Sequence, residues 1–180
     1  METSIVDVVI GMQYGDEGKG KIANQMAASG EYDYVVRFNG GGNAGHTIYL
    51  NGEKIVTHLV PCGILHGIYS VIGNGCVINT QKLFDELAYL EGLGFNTSLL
   101  KIAENAHIIT QEHIDEDSKD TTIGTTRTGN GPCYKDKVGR TGLRAKDIPE
   151  LEPYLVDMYS LIHSSPKKFL AEGAQGYWLD

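Results

Sequence analysis

The sequence predicts an α/β fold, a mostly parallel central sheet with flanking helices and a nucleotide-binding architecture like that of the phosphate-loop proteins. Three observations carry that expectation. The apolar run Ile5-Val6-Asp7-Val8-Val9-Ile10 leads straight into the glycine- and lysine-rich turn Gly-Met-Gln-Tyr-Gly-Asp-Glu-Gly-Lys-Gly-Lys at 11–21. Strand and helix patterns then alternate along the chain with no internal repeat, low-complexity tract or obvious linker. Finally, 180 residues with 41% hydrophobic content and 23 glycines suit one loop-rich α/β nucleotide-binding domain spanning 1–180.

The first run reads as a buried parallel strand delivering the chain to the loop. There the glycines let backbone N–H groups turn toward an anion, and a helix beginning near Gly18 aims its positive end at the same point. The loop departs twice from the Walker pattern G-x-x-x-x-G-K-[ST]. Gly11 lies two residues too far from Gly18-Lys19, and Gly20 stands where a hydroxyl would bind Mg²⁺. A metal here needs another hard oxygen, and the loop's carboxylates are Asp16 and Glu17. Asp16 is thus a candidate for metal binding or proton abstraction; the plainer reading is a tight turn with one solvated acid. A second strand, Tyr34–Phe38, runs into Asn-Gly-Gly-Gly-Asn-Ala-Gly-His-Thr at 39–47. Three consecutive glycines suit no regular element, so this loop admits a close approach. His46 in it could donate to a phosphate oxygen, transfer a proton near neutral pH, or be structural.

Further along, the runs 47–50 and 53–57 flank Asn51-Gly52, a two-residue hairpin signal. Segments 71–73 and 76–78 read as a glycine-interrupted strand region. From Gln81 to Leu93, Leu83, Phe84, Leu87 and Leu90 mark the core face of an amphipathic helix. Residues Asp115 to Asp120 hold four carboxylates and one lysine and read as an exposed helix end or loop. The loop 123–131 precedes a basic stretch in which Arg127, Lys135, Lys137, Arg140, Arg144 and Lys146 face only Asp136 as an acid; it is either a solvated basic face or a small-phosphate site. Lys168–Ala171 reads as a strand ending in the loop Glu172-Gly-Ala-Gln-Gly176, at the sheet edge where open α/β sheets bind ligands.

A formal charge of −8 disfavours nucleic acid as the main partner. No 18-residue apolar stretch exists and the first residues lack the pattern of a signal peptide, so a cytoplasmic protein without membrane association is expected. Cys62, Cys76 and Cys133 are odd in number and widely spaced, which argues against a disulfide framework or zinc site and for reduced thiols.

Five motifs together resemble the adenylosuccinate synthetase family, in that family's order: Gly-Asp-Glu-Gly-Lys-Gly-Lys at 15–21, Asn-Ala-Gly-His-Thr at 43–47, Ile-Gly-Thr-Thr at 123–126, Gly-Pro-x-Tyr-x-Asp-Lys-Val at 131–138 and Glu-Gly-Ala-Gln-Gly at 172–176. The resemblance spans nearly the whole chain but only the N-terminal part of a family enzyme, so the fold is expected to be incomplete at the C-terminus. It implies a ligase of purine biosynthesis that joins L-aspartate to IMP through 6-phosphoryl-IMP at the expense of GTP. Implied catalytic residues are Asp16 as base, His46 as acid and Lys19 as charge neutraliser, with Mg²⁺ held by Asp16 and the carbonyl of Gly45. GTP binding is implied for Gly15, Asp16, Glu17, Gly18, Lys19, Gly20, Lys21, Gly45, His46 and Thr47. IMP binding is implied for Asp16, Glu17, Gly18, Lys19, Asn43, Ala44, Gly45, His46, Thr126 and Gln175. Arg140 matches an arginine that reaches the partner subunit's IMP, which implies a homodimer.

Departures are specific. Arg127-Thr128-Gly129-Asn130 replaces the family's usual Gly-Arg-Gly-Ile, Asn39 replaces glutamine, Gly42 replaces a bulkier residue, and 144–169 is short, as in compact archaeal and some viral members. The aspartate pocket and guanine reader of the family lie beyond Asp180, and no N-K-x-D or T-K-x-D occurs in the chain. These 180 residues alone are accordingly expected to be inactive, to leave an unpaired edge at the last strand and to expose the apolar residues around Trp178 and Leu179. Two alternatives stand beside the main reading: the viral-type synthetase acting on dGMP, which usually carries serine in place of Asp16, and a non-catalytic nucleotide-binding module.

Overall fold

A computed structural model describes residues 3–43, 45–50, 52–119 and 125–179. The strands of the central sheet are β1 (Ile5–Gly11), β2 (Tyr34–Arg37), β5 (Tyr69–Ile72), β7 (Leu100–Ala103), β9 (Leu155–Val156) and β10 (Lys168–Gly176). Two small pairs accompany it: the hairpin β3 (His46–Leu50) with β4 (Glu53–Thr57), and β6 (Val77–Ile78) with β8 (His107–Ile108). The helices are α1 (Lys19–Ala27), α2 (Thr80–Gly92), α3 (Gln111–Lys119), α4 (Asn130–Gly139) and α5 (Met158–His163).

All pairings in the central sheet are parallel, in the order β1-β10-β2-β5-β7-β9. Alternation of side chains along each strand builds its two faces. Val35, Ile72 and Leu170 pack with Ala23 and Ala27 of α1, Leu83, Leu87 and Leu90 of α2, and Ile48 and Ile55 of the hairpin. Val36, Val71 and Phe169 pack with Met158 and Leu161 of α5. Each large apolar side chain so buried contributes about 1.5–3 kcal/mol of transfer free energy. Helix α2 starts one residue before the predicted span because Asn79 caps it, its Oδ1 accepting the Lys82 N–H at 3.0 Å.

Several sequence expectations need correction. Strand β1 is not buried: Ile5, Val6, Val8 and Ile10 are each more than half exposed. The reason is topological, since β1 ends the sheet and pairs only with β10 among the described residues. Val6, Val8 and Ile10 share a face with Phe169 by register, yet α5 packs over Phe169 and leaves that row open. The last strand also does not stop at Ala171. It continues through Gly176, with Glu172, Gly173 and Ala174 buried, because β10 inserts between β1 and β2 as far as Glu172 and then rejoins β1 at Gly176 opposite Gly11. Among the described residues the edge strands are therefore β1 and β9, and the C-terminal strand is not one of them, while Trp178 is 64% exposed as expected. Segments 71–73 and 76–78 divide between two sheets, β5 in the large one and β6 beside β8. Helix α4 lies in the basic stretch that sequence reading left without an element. Asn51 and Asp180 lie outside the described residues. Among the described residues, no helix is long and apolar enough to cross a membrane.

Replacing Asn79 by alanine is expected to lower the unfolding free energy by about 1 kcal/mol, and by glycine only a few tenths, in urea melts followed by circular dichroism.

Candidate functional site

The loops after β1 and β2 and the end of β10 meet at the carboxyl edge of the sheet. In the first loop Glu17 accepts from Lys19 Nζ at 2.8 Å and from the Gln13 N–H. The Lys19 hydrogen bond holds the Glu17 carboxyl below its usual range. This pair leaves Asp16 as the loop's exposed carboxylate outside an ion pair, and Asp16 sits in the left-handed region at φ 54°. The end of β10 props the loop: Trp178 N–H donates to the Gln13 carbonyl at 3.1 Å. On its other side the loop meets β3. A Cβ at Gly20 would lie 2.8 Å from His46 Cβ, so only glycine lets α1 approach His46 so closely.

Beneath the loops lies a buried charged cluster. Arg37 ends β2, directly opposite Glu172 on β10, and both are essentially inaccessible. Arg37 donates from Nε and NH2 to Glu172 Oε1, at 3.2 and 3.1 Å, and from NH1 to the His58 carbonyl. Its NH2 also lies 2.8 Å from His46 Nδ1. Guanidinium can only donate, so His46 Nδ1 accepts and the neutral ring carries its proton on Nε2. The same NH2 is 3.3 Å from Nε2, and the shorter contact decides the tautomer. Burial first and Arg37 second lower the His46 pKa to about 4, against the pull of Glu172. Burial alone would raise Glu172; Arg37, then His46 and the Cys62 N–H, hold it below the usual carboxylate range. His46 is thus a neutral hydrogen-bonding group and not the charged acid at neutral pH. Glu86 of α2 secures the arrangement from below, accepting the backbone N–H groups of His58, Leu59 and Val60.

A cavity of about 640 Å³ opens beside these loops, lined among others by Asn43, Thr126, Asn130, Lys119 and Lys135. Asp117 organises its wall. Contrary to the expectation of an exposed acidic run, Asp117 is buried, accepting the Thr125 hydroxyl through Oδ1 and the Gly129 N–H through Oδ2 at 2.8 Å. The acid faces inward because α3 packs on α4, where His113 takes the Thr110 N–H at Nδ1 and donates from Nε2 to Asp136. Tyr134 of α4 ties this wall to the β2–β3 loop, its hydroxyl meeting the Gly40 N–H at 3.0 Å and the Gly75 carbonyl at 2.9 Å.

The structure therefore brings Asn43 and Thr126 to one cavity, and the Asp16 loop, Lys19 and His46 to one neighbouring edge. Gly15 and Gly18 shape that loop, Lys21 is exposed in the first turn of α1, and Thr47 is exposed on β3. Non-glycine residues with positive φ are Asp16, Arg127, Arg140 and Gln175. Three of them are candidate site residues, and such backbone strain clusters where function demands it. Arg140 caps the C-terminal end of α4 and is not among the residues of that helix that line the cavity, which are Asn130, Gly131, Pro132 and Lys135. Lys135 pairs with Glu116, Lys137 with the Asn74 carbonyl and Arg144 with Asn105, so half of the basic stretch has structural partners. Ala44, Ile123, Gly124 and Asp120 lie outside the described residues. Sequence reading missed Arg37, Glu172 and Glu86; for the first two the signal available was a charge following an apolar strand run.

The donor set bears on metal binding. Among the described residues no group of three or more His, Cys, Asp or Glu is placed to hold a metal ion. One exposed carboxylate at a phosphate loop fits Mg²⁺, which binds through one or two protein oxygens together with substrate phosphates and water, and does not fit a dedicated protein cage. The three cysteines are buried free thiols, with burial pushing Cys76 and Cys133 up to about 12.

Comparison with known proteins gives a consistent result. Residues 8–152 match the family model described as adenylosuccinate synthetase. The chain is 47% identical over 154 residues to the adenylosuccinate synthetase of Brevibacillus brevis, covering 82% of this chain and 36% of that protein. It is 48% identical over 155 residues to that of Desulfosudis oleivorans, with the same coverage. Among solved structures, fully ligated adenylosuccinate synthetase from Plasmodium falciparum superimposes with a TM-score of 0.82 at 32% identity, over 98% of this chain and 53% of that one. Cyanophage S-2L succinoaminodeoxyadenylate synthetase, bound to dGMP and to dATP as an energy donor, gives 0.81 at 27% identity, over 99% and 53%. The chain thus spans about a third of the length of these curated relatives and about half of the solved structures.

Two outcomes are expected from the buried cluster. Arg37→Met, which strands Glu172, costs about 3–5 kcal/mol in chemical denaturation, and adding Glu172→Leu recovers part of the loss. Folding lowers His46 from 6.5 to about 4, so as pH falls through that window the unfolded chain takes up a proton that the native chain refuses. Stability is therefore lost from pH 6.5 down to about 4, by about 3 kcal/mol for this group. The difference in unfolding free energy between wild type and His46→Gln, measured across pH, shrinks over the same window.

Proposed function

The chain belongs to the adenylosuccinate synthetase family, and from that premise we propose that it supplies the phosphate-handling part of a GTP-dependent ligase that joins L-aspartate to IMP. The observation that carries the reading is the strained, exposed Asp16 on a phosphate loop packed through Gly20 against a neutral His46. Asp16 takes the N1 proton of IMP, which lets the 6-oxygen attack the γ-phosphorus of GTP; GDP leaves and 6-phosphoryl-IMP forms. His46, its Nδ1 occupied by Arg37, donates from Nε2–H to the phosphates. Lys19 turns from Glu17 toward the charge that develops on the transferred group. The amine of L-aspartate then displaces phosphate from carbon 6, giving adenylosuccinate. Asp16 and the Gly45 carbonyl would hold Mg²⁺, which when bound neutralises phosphate charge.

Asn43 and Thr126 seat the IMP 5′-phosphate, Gln175 lies near the nucleotide, and Arg140 reaches the IMP of a partner subunit in a homodimer. That Arg140 does not line the cavity of its own chain supports that last assignment. The setting is cytoplasmic, and residues 1–180 act as one nucleotide-binding domain. The likeness to the cyanophage protein raises a second reading, in which dGMP replaces IMP; Asp16 favours IMP, because the resemblance gives the dGMP-type enzyme a serine at that position.

In the full-length protein, Asp16→Asn is expected to abolish IMP-dependent GTP cleavage while nucleotide binding stays within about tenfold. Retained turnover removes Asp16 from the role of base, and turnover with dGMP but not IMP selects the second reading. Mixing Arg140→Leu with Asp16→Asn protein is expected to restore one competent site per heterodimer. No recovery despite subunit exchange, followed by native mass spectrometry, places Arg140 outside the partner's site.

A further inference from the structure

We propose that the Asn130 carboxamide contacts ligand directly, fixing the phosphate end of a nucleoside monophosphate in the cavity between α3, α4 and the β2–β3 loop. The inference deepens the nucleotide reading of that cavity and rests on it.

Asn130 is 9% exposed, and neither its Oδ1 nor its Nδ2 has a hydrogen-bond partner. Asn43 Oδ1, on the same cavity wall, is likewise buried and unpaired. Burying an amide with both polar atoms unsatisfied is unfavourable, and native proteins seldom tolerate it without a reason. The side chain is not free to swing away to water. A Cβ built on Gly41 would lie 2.8 Å from Oδ1 and 2.9 Å from Nδ2, so the amide is clamped over the bare backbone of Gly41. Val77, Ile109 and Cys133 cluster nearby, and an apolar side chain of the same shape would suit such surroundings better. A group that arrives with the ligand accounts for the amide.

The surroundings define the chemistry of that group. Asn130 opens α4, whose N-cap Gly129 offers no side chain, so the first-turn N–H groups of Asn130 and Gly131 lack intrahelical carbonyls and the positive end of the helix dipole meets the cavity. Thr126 lines the cavity, and its hydroxyl lies 2.9 Å from that of Thr128. The cavity's acids are engaged elsewhere: Asp117 binds Thr125 and Gly129, and Glu116 pairs with Lys135. Lys119 adds a cation to the lining. Donors therefore converge on the cavity while its carboxylates are occupied, which selects a phosphate monoester. Nδ2–H donates to a phosphate oxygen, and Oδ1 accepts from a hydroxyl of the same ligand. A volume of about 640 Å³ admits a nucleotide.

The test uses the full-length protein with Asn130→Leu and Asn130→Asp, each titrated calorimetrically with IMP and with inorganic phosphate, and each melted without ligand. Asn130→Leu is expected to weaken both probes roughly tenfold and to raise KM for IMP but not for GTP. Asn130→Asp is expected to weaken them further, since it sets a carboxylate against the phosphate. The melting temperature without ligand should hold or rise, because the unpaired amide is gone. Wild-type affinity for both probes in both variants overturns the assignment, as does a fallen melting temperature with unchanged IMP affinity, which makes Asn130 structural. Loss of phosphate affinity in a protein whose wild type shows no IMP-dependent GTP cleavage upholds Asn130 and sinks the ligase reading instead. Full ligase activity with an unchanged KM for IMP does the reverse.

Discussion

The Arg37–Glu172 pair is the constraint on which the rest of the structure depends. It joins two adjacent central strands at one register position, although its members are 135 residues apart in sequence. A slip of β10 by one residue would turn Glu172 to the opposite face of the sheet, toward the apolar cluster of Val36, Val71 and Phe169, and leave Arg37 buried without it, since β2 is held in place by β5. The pair therefore selects the register of β10, and the register of β10 sets where the loop before Trp178 supports Gln13. Burial makes the pair costly to assemble, and the remaining donors of Arg37 reduce that cost by serving the His58 carbonyl and His46. One guanidinium thus aligns two strands, the β4 exit and the β3 histidine.

Rigidity and strain are divided between layers. Below the carboxyl edge the loops are tied down: Glu86 takes three backbone donors and Tyr134 bridges two loops. At the edge itself the backbone is held in left-handed conformations at Asp16, Arg127 and Gln175. Each such residue costs on the order of 1 kcal/mol relative to glycine, a cost sustained only over a firm support. The site is a set of poorly relaxed residues seated on an anchored support.

Much of this was legible in the chain. Glycine-rich turns after apolar runs located β1 and β2, and the Leu83–Leu87–Leu90 spacing located α2, because each signal is local. The misreadings share a cause in tertiary context. Glu172-Gly-Ala-Gln-Gly looks like a loop, yet it is strand: Glu172 pairs with both neighbours, and after an irregularity the chain rejoins β1 at Gly176 opposite Gly11. Asp117 looks solvated until α4 is known to pack on α3, and α4 itself is disguised by Gly131 and Pro132 in its first turn, where proline's missing N–H goes unnoticed. An apolar β1 implies burial only if something lies against both faces. As for the site, the motifs named its edge residues, but the ion pair beneath them and the orphaned amide of Asn130 are relations between distant segments that no local pattern encodes.

The insertion of β10 between β1 and β2 also dictates the order of events at the ribosome. Ile5 pairs with Lys168, so the first strand to emerge has no strand partner until nearly the last described residue has been made. At ordinary elongation rates that interval is roughly 8–30 seconds, long compared with the milliseconds in which a small domain folds. Strands β2, β5 and β7 can pair meanwhile, leaving a vacant slot beside β2 and a nascent Ile-Val-Asp-Val-Val-Ile tail. The slot beside β2 is open to the wrong strand until the right one arrives.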